Sequence, residues 1–512
     1  MNTTSENNNA IDFFVDRHIR PGNGARPAFS DGVRSLTYQV LQQATHRFAA
    51  GLAAAGIGRE RRVALLLHDT VDFPIAFWGC LRAGVVPVPI NTLLPHDLLG
   101  YILADSRAEA VFVAAPLHSG LAPLFGSLHG LRHVVVTGEA LEGFLAPPGT
   151  TAETVQAQPD EVAFWLYSSG STGAPKGVRH VHASLRATSD TYGAQVLGIR
   201  AEDVVFSAAK LFFAYGLGNS MTFPLSVGAS AVLLPARPTA DAVLEVMRTA
   251  RPTIFCGVPT LYAALLAHSG LGSGAGSDRL RLCVSAGEAL PEAVARRWRE
   301  RVGVDILDGI GSTEMLHIFL SNRPGDIRDG TTGRAVPGYE LRIVDANGQD
   351  VPDNESGELL VRGPSAAEGY WNQLAKSRRT FRGEWTHTGD TYVRDADGYY
   401  RYGGRSDDMM KVGGIWVSPF EVEEALVSHP AVLEAAVVGQ ADADGLIKPR
   451  AFVVLQAKAA GMDPASLTDL LKLHVKEKVG PWKYPRWIEL VDSLPKTATG
   501  KIQRFKLRDG AG

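Results

Sequence analysis

The stretch VAFWLYSSGSTGAPKGV, residues 162–178, joins an apolar run to a loop rich in glycine and hydroxyl side chains. From Tyr167 to Val178 it contains three glycines, four serine or threonine hydroxyls and one lysine. Glycine lets backbone amides approach a ligand closely, hydroxyls hydrogen-bond to oxygens, and lysine adds a positive charge. The loop is therefore predicted to bind phosphate. It is not a Walker A loop, because Lys176 follows Pro175 and precedes Gly177, so the G-x-x-x-x-G-K-[ST] spacing fails.

The sequence before this loop alternates between helical and strand patterns. Apolar residues recur at helical spacing over residues 41–52, and VALLL at residues 63–67 is typical of a buried strand. This alternation continues and predicts an α/β fold, with a large layered N-terminal domain of mostly parallel sheets. Ligands in such sheets bind beyond the carboxyl ends of strands. The phosphate loop is expected at such a place, because it directly follows the strand-like run 162–167.

The pattern changes after about residue 330 to short strands joined by turn sequences. Asn347-Gly348 and Asp397-Gly398 each lie between two strand-like runs, which predicts two β-hairpins. We therefore expect a β-rich subregion within the large domain.

A domain boundary is expected at residues 406–408. The length of 512 residues exceeds what one ordinary core accommodates. Beyond the boundary a compact α+β stretch contains SPFE, residues 418–421, in which a capping serine, a proline and a glutamate predict a helix start. The predicted division is an N-terminal domain over residues 1–406 and a small α+β C-terminal domain over residues 407–512.

Composition limits the class of protein. The formal net charge is -3, from 51 basic and 54 acidic residues, so no basic surplus indicates nucleic acid or a membrane surface as a partner. The three cysteines have no metal-binding or disulfide spacing, which favours a reducing compartment. Residues 1–10 are polar and do not resemble a signal peptide. We expect a cytoplasmic protein without a membrane span, acting on small molecules as a monomer or homodimer.

Four further motifs follow the phosphate loop, and each has a simple explanation when taken alone. GSTE (311–314) could be a helix cap, and HTGD (387–390) could be a tight turn. GRSDD (404–408) could be a solvated run of charges, and PKTATGKIQR (495–504) could be a loose basic tail. Together with the phosphate loop, their order and wording resemble the adenylate-forming superfamily of acyl-CoA synthetases, adenylation domains and luciferases. The resemblance covers nearly the whole chain. It implies that ATP, Mg²⁺ and coenzyme A take part in a ligase reaction.

This resemblance implies roles for individual residues in the first half-reaction, in which a carboxylate attacks the α-phosphorus of ATP. Thr313 would bond the α-phosphate, Glu314 would bind Mg²⁺, and Asp390 would accept both ribose hydroxyls with help from Arg405. Lys501 would offset the negative charge of the transition state, where positioning and electrostatics dominate catalysis. The remaining phosphates would be held by Ser168, Ser169, Gly170, Ser171, Thr172, Gly173 and Lys176.

The second half-reaction is implied to use the same C-terminal domain as a mobile lid. It would rotate about a hinge at Asp407, withdraw Lys501 and bring Lys411, Gly413 and Gly414 to the active site. The coenzyme A thiol would then attack the acyl-adenylate and release AMP.

The acyl pocket is implied to follow the phosphate loop, in KLFFAYGLGN at residues 210–219. Residues 206–224 contain no acid, which argues against an amino acid as substrate, because a buried ammonium needs a partner. KLFFAYGLGN and GSTEMLHIFLSNRPGD, residues 311–326, resemble benzoate-CoA ligases and their hydroxybenzoate relatives. Benzoate, with fluoro- or other small substituted benzoates, is thus the expected acid. The implied mostly apolar slot consists of Phe213, Ala214, Tyr215, Ala286, Gly311, His317 and Ile318.

Three alternatives remain open. The acid could be 4- or 3-hydroxybenzoate, with His317 as the reader of a hydroxyl group. The protein could load an aryl acid onto a carrier protein, which the pocket and the lack of an appended carrier domain argue against only weakly. It could be a nucleotide-binding regulator, although the presence of both Glu314 and Lys501 argues for catalysis.

Overall fold

The computed structural model describes residues 8–20, 22–168, 174–405, 408–412, 415–443, 445–459, 461–496 and 502–509. The strands of these residues are β1 (Pro27–Ser30), β2 (Ser35–Thr37), β3 (Arg62–Leu66), β4 (Val86–Pro89), β5 (Ala110–Val113), β6 (His133–Val136), β7 (Val162–Ser168), β8 (Lys176–Val181), β9 (Val204–Ser207), β10 (Ser230–Val232), β11 (Ile254–Gly257), β12 (Leu282–Ser285), β13 (Ile306–Gly311), β14 (Ile318–Ser321), β15 (Arg334–Ala335), β16 (Glu340–Val344), β17 (Ser356–Arg362), β18 (Gly369–Tyr370), β19 (Phe381–Arg382), β20 (Trp385–Arg394), β21 (Tyr400–Arg405), β22 (Met410–Val412), β23 (Ile415–Val417), β24 (Val432–Ala441), β25 (Ile447–Leu455) and β26 (Trp487–Leu490).

The α-helices are α1 (Ala10–Phe14), α2 (Tyr38–Ala54), α3 (Asp72–Arg82), α4 (His96–Ser106), α5 (Ala115–Gly126), α6 (Glu139–Phe144), α7 (His182–Thr188), α8 (Ala214–Leu217), α9 (Phe223–Val227), α10 (Ala240–Ala250), α11 (Pro259–Ala267), α12 (Glu292–Val302), α13 (Leu374–Thr380), α14 (Pro419–Val427), α15 (Pro464–Val479) and α16 (Arg504–Asp509). The helical spacing over residues 41–52 is confirmed, because Leu41, Phe48 and Leu52 form the buried face of α2. Within the described residues, each helix is too short or too polar to cross a bilayer.

Two mostly parallel sheets form the centre of the large domain. The larger has the order β15-β14-β13-β12-β11-β9-β10-β1-β2, with parallel pairing from β13 to β1 and antiparallel pairing at both edges. The second, β4-β3-β5-β6, is parallel throughout. Helices alternate with these strands along the chain, so the predicted α/β class is confirmed.

The phosphate loop departs from the predicted placement. Strand β7 pairs antiparallel with β8, and β18 adds to the other edge of β8. The loop therefore connects two antiparallel neighbours, and the expectation that it follows a strand of a parallel sheet was wrong. An apolar run such as residues 162–167 does not show whether the neighbouring strand is parallel or antiparallel, because a fully buried strand has a similar apolar sequence in both kinds of sheet.

The β-rich subregion contains both predicted hairpins. Strand β16 pairs antiparallel with β17, and β20 pairs antiparallel with β21. Gly348 and Gly398 lie in the two connections with φ of 79° and 82°, a left-handed conformation that glycine adopts without strain.

The C-terminal region has its own small sheet, β24-β25-β26, against which helices α14 and α15 pack. The predicted helix start is confirmed, because the Ser418 side chain accepts a hydrogen bond from the amide of Glu421. Residues 406 and 407 lie outside the described residues, so the boundary at 406–408 stays a prediction.

Candidate active site

Lys176, Glu314 and Tyr370 form a hydrogen-bonded cluster at the base of the phosphate loop. Lys176 Nζ donates to Glu314 Oε1 at 3.1 Å and to the Tyr370 hydroxyl at 2.9 Å. The same hydroxyl donates to Glu314 Oε1 at 2.8 Å. Burial alone would raise the pKa of Glu314, but the Lys176 charge and the Tyr370 hydrogen bond hold it below its usual value. The cluster therefore keeps an ionised carboxylate in a mostly buried position.

Tyr370 is a site residue that the sequence analysis missed. Because β18 pairs with β8, Tyr370 lies opposite Val178 and next to the phosphate loop. Lys176 Nζ lies 4.2 Å from the centroid of its ring, and Thr380 Oγ1 lies 3.2 Å from its hydroxyl. Tyr370 is 194 residues from Lys176 in the chain, so no local spacing could have signalled this contact.

Ser168 lies opposite Lys176 in the β7–β8 pair. Its Oγ is buried and has no hydrogen-bond partner among the described residues. A buried hydroxyl without a partner is costly unless a ligand or water satisfies it. Ser168 thus fits the predicted phosphate site, whose other residues Ser169, Gly170, Ser171, Thr172 and Gly173 lie outside the described residues.

The motif GSTE forms a turn between two strands and does not begin a helix. It runs from the end of β13 at Gly311, and Ser312 Oγ accepts a hydrogen bond from the amide of Met315 at 3.1 Å. A Cβ at Gly311 would overlap the backbone carbonyl of His317, so the close return of the chain requires glycine. The turn presents Thr313 and Glu314 together.

Backbone contacts hold this turn in place. His180 Nε2 lies 2.8 Å from the carbonyl oxygen of Thr313, and its ring stacks on Phe164 at a centroid distance of 5.2 Å. Burial lowers the pKa of His180 to about 4, so the ring is neutral at neutral pH and can donate from Nε2. His180 therefore fixes Thr313 without adding charge to the site.

Asp390 and Arg405, which were expected to bind ribose, form an ion pair. They lie opposite each other on β20 and β21, with Arg405 Nη1 3.0 Å from Asp390 Oδ1. Arg405 Nη1 also donates to the carbonyl of Thr388, whose hydroxyl accepts the Asp390 amide. The motif HTGD is thus part of strand β20 and not a turn between strands. Gly389 adopts a φ of 70° inside it and directs Asp390 inward, where it is buried.

The residues of the expected acyl slot divide between two apolar clusters. Ala286 and Ile318 are buried in one cluster, and Tyr215 packs against it. Phe213 and Ala214 pack against the neighbouring cluster, with Phe213 edge-to-face on Phe212. These residues thus come from the end of β12, the start of β14 and the region of the short helix α8.

His317 is buried among aromatic rings. Its ring lies 4.5 Å from Phe223, 5.3 Å from Tyr192 and 5.7 Å from Tyr215, measured between ring centroids. Burial lowers its pKa to about 3, so it is neutral. Nε2 lies 3.4 Å from the Tyr215 carbonyl, whereas Nδ1 has no partner among the described residues. A Cβ at Gly218 would overlap the ring, so this glycine leaves room for His317.

The hydroxyl group of Tyr215 is committed to the backbone. Its oxygen lies 3.1 Å from the carbonyl oxygens of both Gly257 and Val284. The Tyr215 hydroxyl is thus hydrogen-bonded within the protein, whereas His317 Nδ1, the Asn219 side-chain amide and Ser285 Oγ have no partner among the described residues.

Asp308 is a second residue that the sequence analysis missed. It is buried on β13, its Oδ1 has no partner among the described residues, and burial raises the pKa of its carboxyl well above the usual value. Burial raises the pKa of the Tyr392 phenol, and the charges of Asp390 and Asp308 add to this shift. Asp308 thus adds a buried acid to β13, the strand that ends at the GSTE motif.

Two family models match the chain. The model described as AMP-binding enzyme matches residues 17–371, and that of the AMP-binding enzyme C-terminal domain matches residues 421–501. The chain belongs to the AMP-binding enzyme family.

Individual family members are similar over almost their whole length. The chain is 53% identical to a 4-hydroxybenzoate–CoA/benzoate–CoA ligase of Rhodopseudomonas palustris, covering 98% of this chain and 94% of that protein. It is also 53% identical to a benzoate–CoA ligase of Thauera aromatica, covering 98% and 96%. Its structure is similar to crystal structures of a benzoate CoA ligase from Burkholderia xenovorans, with a TM-score of 0.91 and 48% identity over 98% and 99%.

Several predicted residues of this AMP-binding enzyme lie outside the described residues: Asp407, Gly413, Gly414 and Lys501. Lys411 is exposed on β22. Ile502, which follows Lys501, donates its amide hydrogen to Glu288 Oε1 at 2.8 Å. The segment next to Lys501 thus contacts the large domain.

Proposed function

We propose that this AMP-binding enzyme is an ATP-dependent benzoate–CoA ligase. It would convert benzoate and ATP to benzoyl-AMP and pyrophosphate, and then transfer the benzoyl group to the coenzyme A thiol with release of AMP. The observation that carries the proposal is the packing of Tyr215 and Ile318 in one apolar cluster beside the buried, neutral His317, directly after the turn bearing Thr313 and Glu314. A flat, uncharged ring would lie against these residues, with its carboxylate toward the phosphate site. The names of the two similar proteins support the same acid.

The phosphate end of the site suits a metal-bound triphosphate. Mg²⁺ prefers oxygen ligands and is commonly held by one or two carboxylates together with substrate phosphates, which fits the single carboxylate of Glu314. When bound, Mg²⁺ would neutralise charge on the phosphate oxygens. Lys176 and Ser168 would hold phosphate oxygens, and Tyr370 would keep the Glu314 carboxylate in position. Thr313 would contact the α-phosphate, where the acid attacks.

The nucleoside would lie between two carboxyl groups. Asp390 would accept the ribose hydroxyls, held by Arg405, and Asp308 Oδ1 would accept from the amino group of adenine. Both assignments are supported by the burial of the two carboxyls, and that of Asp308 also by its Oδ1, which has no partner among the described residues.

The C-terminal region would act in both half-reactions. Lys501 would approach the reacting carboxylate in the first, and rotation at Asp407 would bring Lys411, Gly413 and Gly414 forward in the second. This proposal retains the division into residues 1–406 and 407–512.

A second candidate acid is 4-hydroxybenzoate. Two observations favour it: His317 Nδ1 is buried without a partner among the described residues, and one similar protein is named for both acids. A ring hydroxyl could donate to this nitrogen.

The test is pyrophosphate release with benzoate, fluorobenzoates, 3- and 4-hydroxybenzoate, cyclohexanecarboxylate and medium-chain acids, followed by detection of the acyl-CoA by mass spectrometry. Benzoate should give the highest kcat/KM and a coenzyme A thioester. Pyrophosphate release without any thioester would favour transfer to a carrier protein. No release with any acid would refute a ligase.

A further inference from the structure

Residues 286–292, between β12 and α12, form the segment on which the C-terminal region docks. The amide of Ile502 donates to Glu288 Oε1 at 2.8 Å. At the other end of the segment, the backbone of Glu292 offsets part of the effect of burial, which raises the pKa of the Glu424 carboxyl. Val427 of α14 packs both in its own core and against the cluster around α11 and α12. The segment therefore contacts the C-terminal region through Glu288, and α14 packs against the neighbouring apolar cluster.

The same segment also contains a residue of the expected acyl slot. Ala286 is buried with Ile318 in one apolar cluster. The backbone of Leu290 offsets part of the effect of burial, which raises the pKa of the Asp308 carboxyl. Gly287, between buried Ala286 and half-buried Glu288, has a φ of 98°, a conformation that glycine adopts without strain. Ala286, a residue of the expected acyl slot, is thus only two positions along the chain from Glu288, which contacts Ile502.

Charge at Glu288 complements the segment that it holds. Glu423 is the main cause of the raised pKa of Arg504, and Glu288 contributes to the same shift, so its carboxylate lies near that guanidinium. A carboxylate that accepts a backbone amide forms a short, strong hydrogen bond. Glu288 therefore fixes the backbone directly after Lys501. Its negative charge is also complementary to the positively charged residues on either side of Ile502 in the sequence, Lys501 and Arg504.

We propose that Glu288 is a positioning residue for the first half-reaction. By accepting the Ile502 amide, it would hold the chain directly after Lys501 against the large domain, so that the ammonium group can reach the reacting carboxylate. The contact serves adenylation only, because Lys501 leaves the site before thioester formation. This inference rests on the proposed function and adds to it a link between the acyl slot and the C-terminal region.

Three substitutions of Glu288 distinguish the effect of its hydrogen bond from the effects of its charge and its side-chain length. Glu288→Ala removes the acceptor and should slow benzoyl-AMP formation by about tenfold to a hundredfold, the size of loss that a misplacement of about 1 Å produces. Glu288→Gln keeps a carbonyl oxygen at the same distance and should retain most of the rate. Glu288→Asp keeps the charge but is shorter, so it should resemble the alanine variant. All three should form benzoyl-CoA from supplied benzoyl-AMP at the wild-type rate.

Glu300→Ala is the matched control, because it removes an exposed carboxylate from α12 near the same segment. It should leave both half-reactions unchanged. Melting temperatures of all variants identify any loss through unfolding.

Limited proteolysis gives a readout that does not depend on turnover. With ATP present, the C-terminal region of wild type should be cut more slowly than that of Glu288→Ala, and Glu288→Gln should match wild type. Equal loss in both half-reactions, a normal adenylation rate in the alanine variant, or equal cutting would overturn the proposal. If wild type activates no aryl acid, the proposed function fails, and the proteolysis comparison still decides whether Glu288 holds the segment.

Discussion

Removal of the Tyr370 hydroxyl tests the phosphate end of the site most directly. Tyr370→Phe keeps the ring, which packs on Phe381 and lies under Lys176. It deletes the 2.8 Å hydrogen bond to Glu314 and the 2.9 Å hydrogen bond from Lys176. Glu314 then keeps its hydrogen bond from Lys176 but loses the one from the Tyr370 hydroxyl. In the wild type, that hydroxyl would still orient the Glu314 carboxylate when Lys176 binds a phosphate group.

The size of the effect follows from these contacts. A hydrogen bond to a charged group contributes about 1.5–3 kcal/mol. If that orientation of Glu314 is needed in the transition state, kcat/KM for ATP should fall by about tenfold to 150-fold, at about 1.4 kcal/mol per decade. The loss should be largest at low Mg²⁺, because an unrestrained carboxylate binds a metal less tightly.

The assay is benzoate-dependent pyrophosphate release over a range of Mg²⁺ concentrations, together with calorimetric binding of ATP with and without Mg²⁺. Tyr262→Phe is the control, because it removes another buried phenol, whose hydroxyl lies 2.8 Å from the carbonyl of Val284. The control should lower the melting temperature without altering the Mg²⁺ dependence. A Tyr370→Phe enzyme with the wild-type Mg²⁺ dependence would refute the reasoning, even if it were less stable.

Three further outcomes are expected. Lys501→Ala should slow benzoyl-AMP formation by about a hundredfold or more while thioester formation from supplied benzoyl-AMP continues, measured as separate half-reactions. Wild type should prefer benzoate to 4-hydroxybenzoate by about tenfold to a hundredfold in kcat/KM, since a buried hydroxyl without a good partner costs about 1–3 kcal/mol. If wild type instead prefers 4-hydroxybenzoate and His317→Ala reverses that preference, His317 is the residue that recognises the hydroxyl group. The pKa of His180, about 4, is below the ordinary 6.5, so the unfolded chain takes up the proton first and stability should fall from about pH 6.5 to pH 4. In His180→Asn, melting temperatures across this range should depend less on pH.

Local features of this protein could be predicted because neighbouring residues determine them. The buried face of α2, the two hairpins and the Ser418 cap each depend on residues within one turn or one strand pair. The motif residues Glu314 and Lys176 were also found from the sequence, through the resemblance of their motifs, and the structure brings them together.

Long-range partners could not be predicted in the same way. The direction of β8 relative to β7, the contact of Tyr370 with Glu314, and the buried position of Asp308 depend on which strands become neighbours. Sequence periodicity reports which face of a strand is buried, but not which strand lies beside it.

The sequence by itself therefore determined the α/β class, the helix and hairpin positions, and the polar residues that could carry the chemistry. Only the tertiary structure decided how these residues meet: that a tyrosine steadies the Glu314 carboxylate, that His317 is neutral, and that Glu288 contacts the segment after Lys501. The physical reason is that hydrogen bonds and burial act over a few ångströms in space. Ile502 and Glu288 are 214 residues apart in the chain, and their contact exists only because the folded C-terminal region docks on residues 286–292.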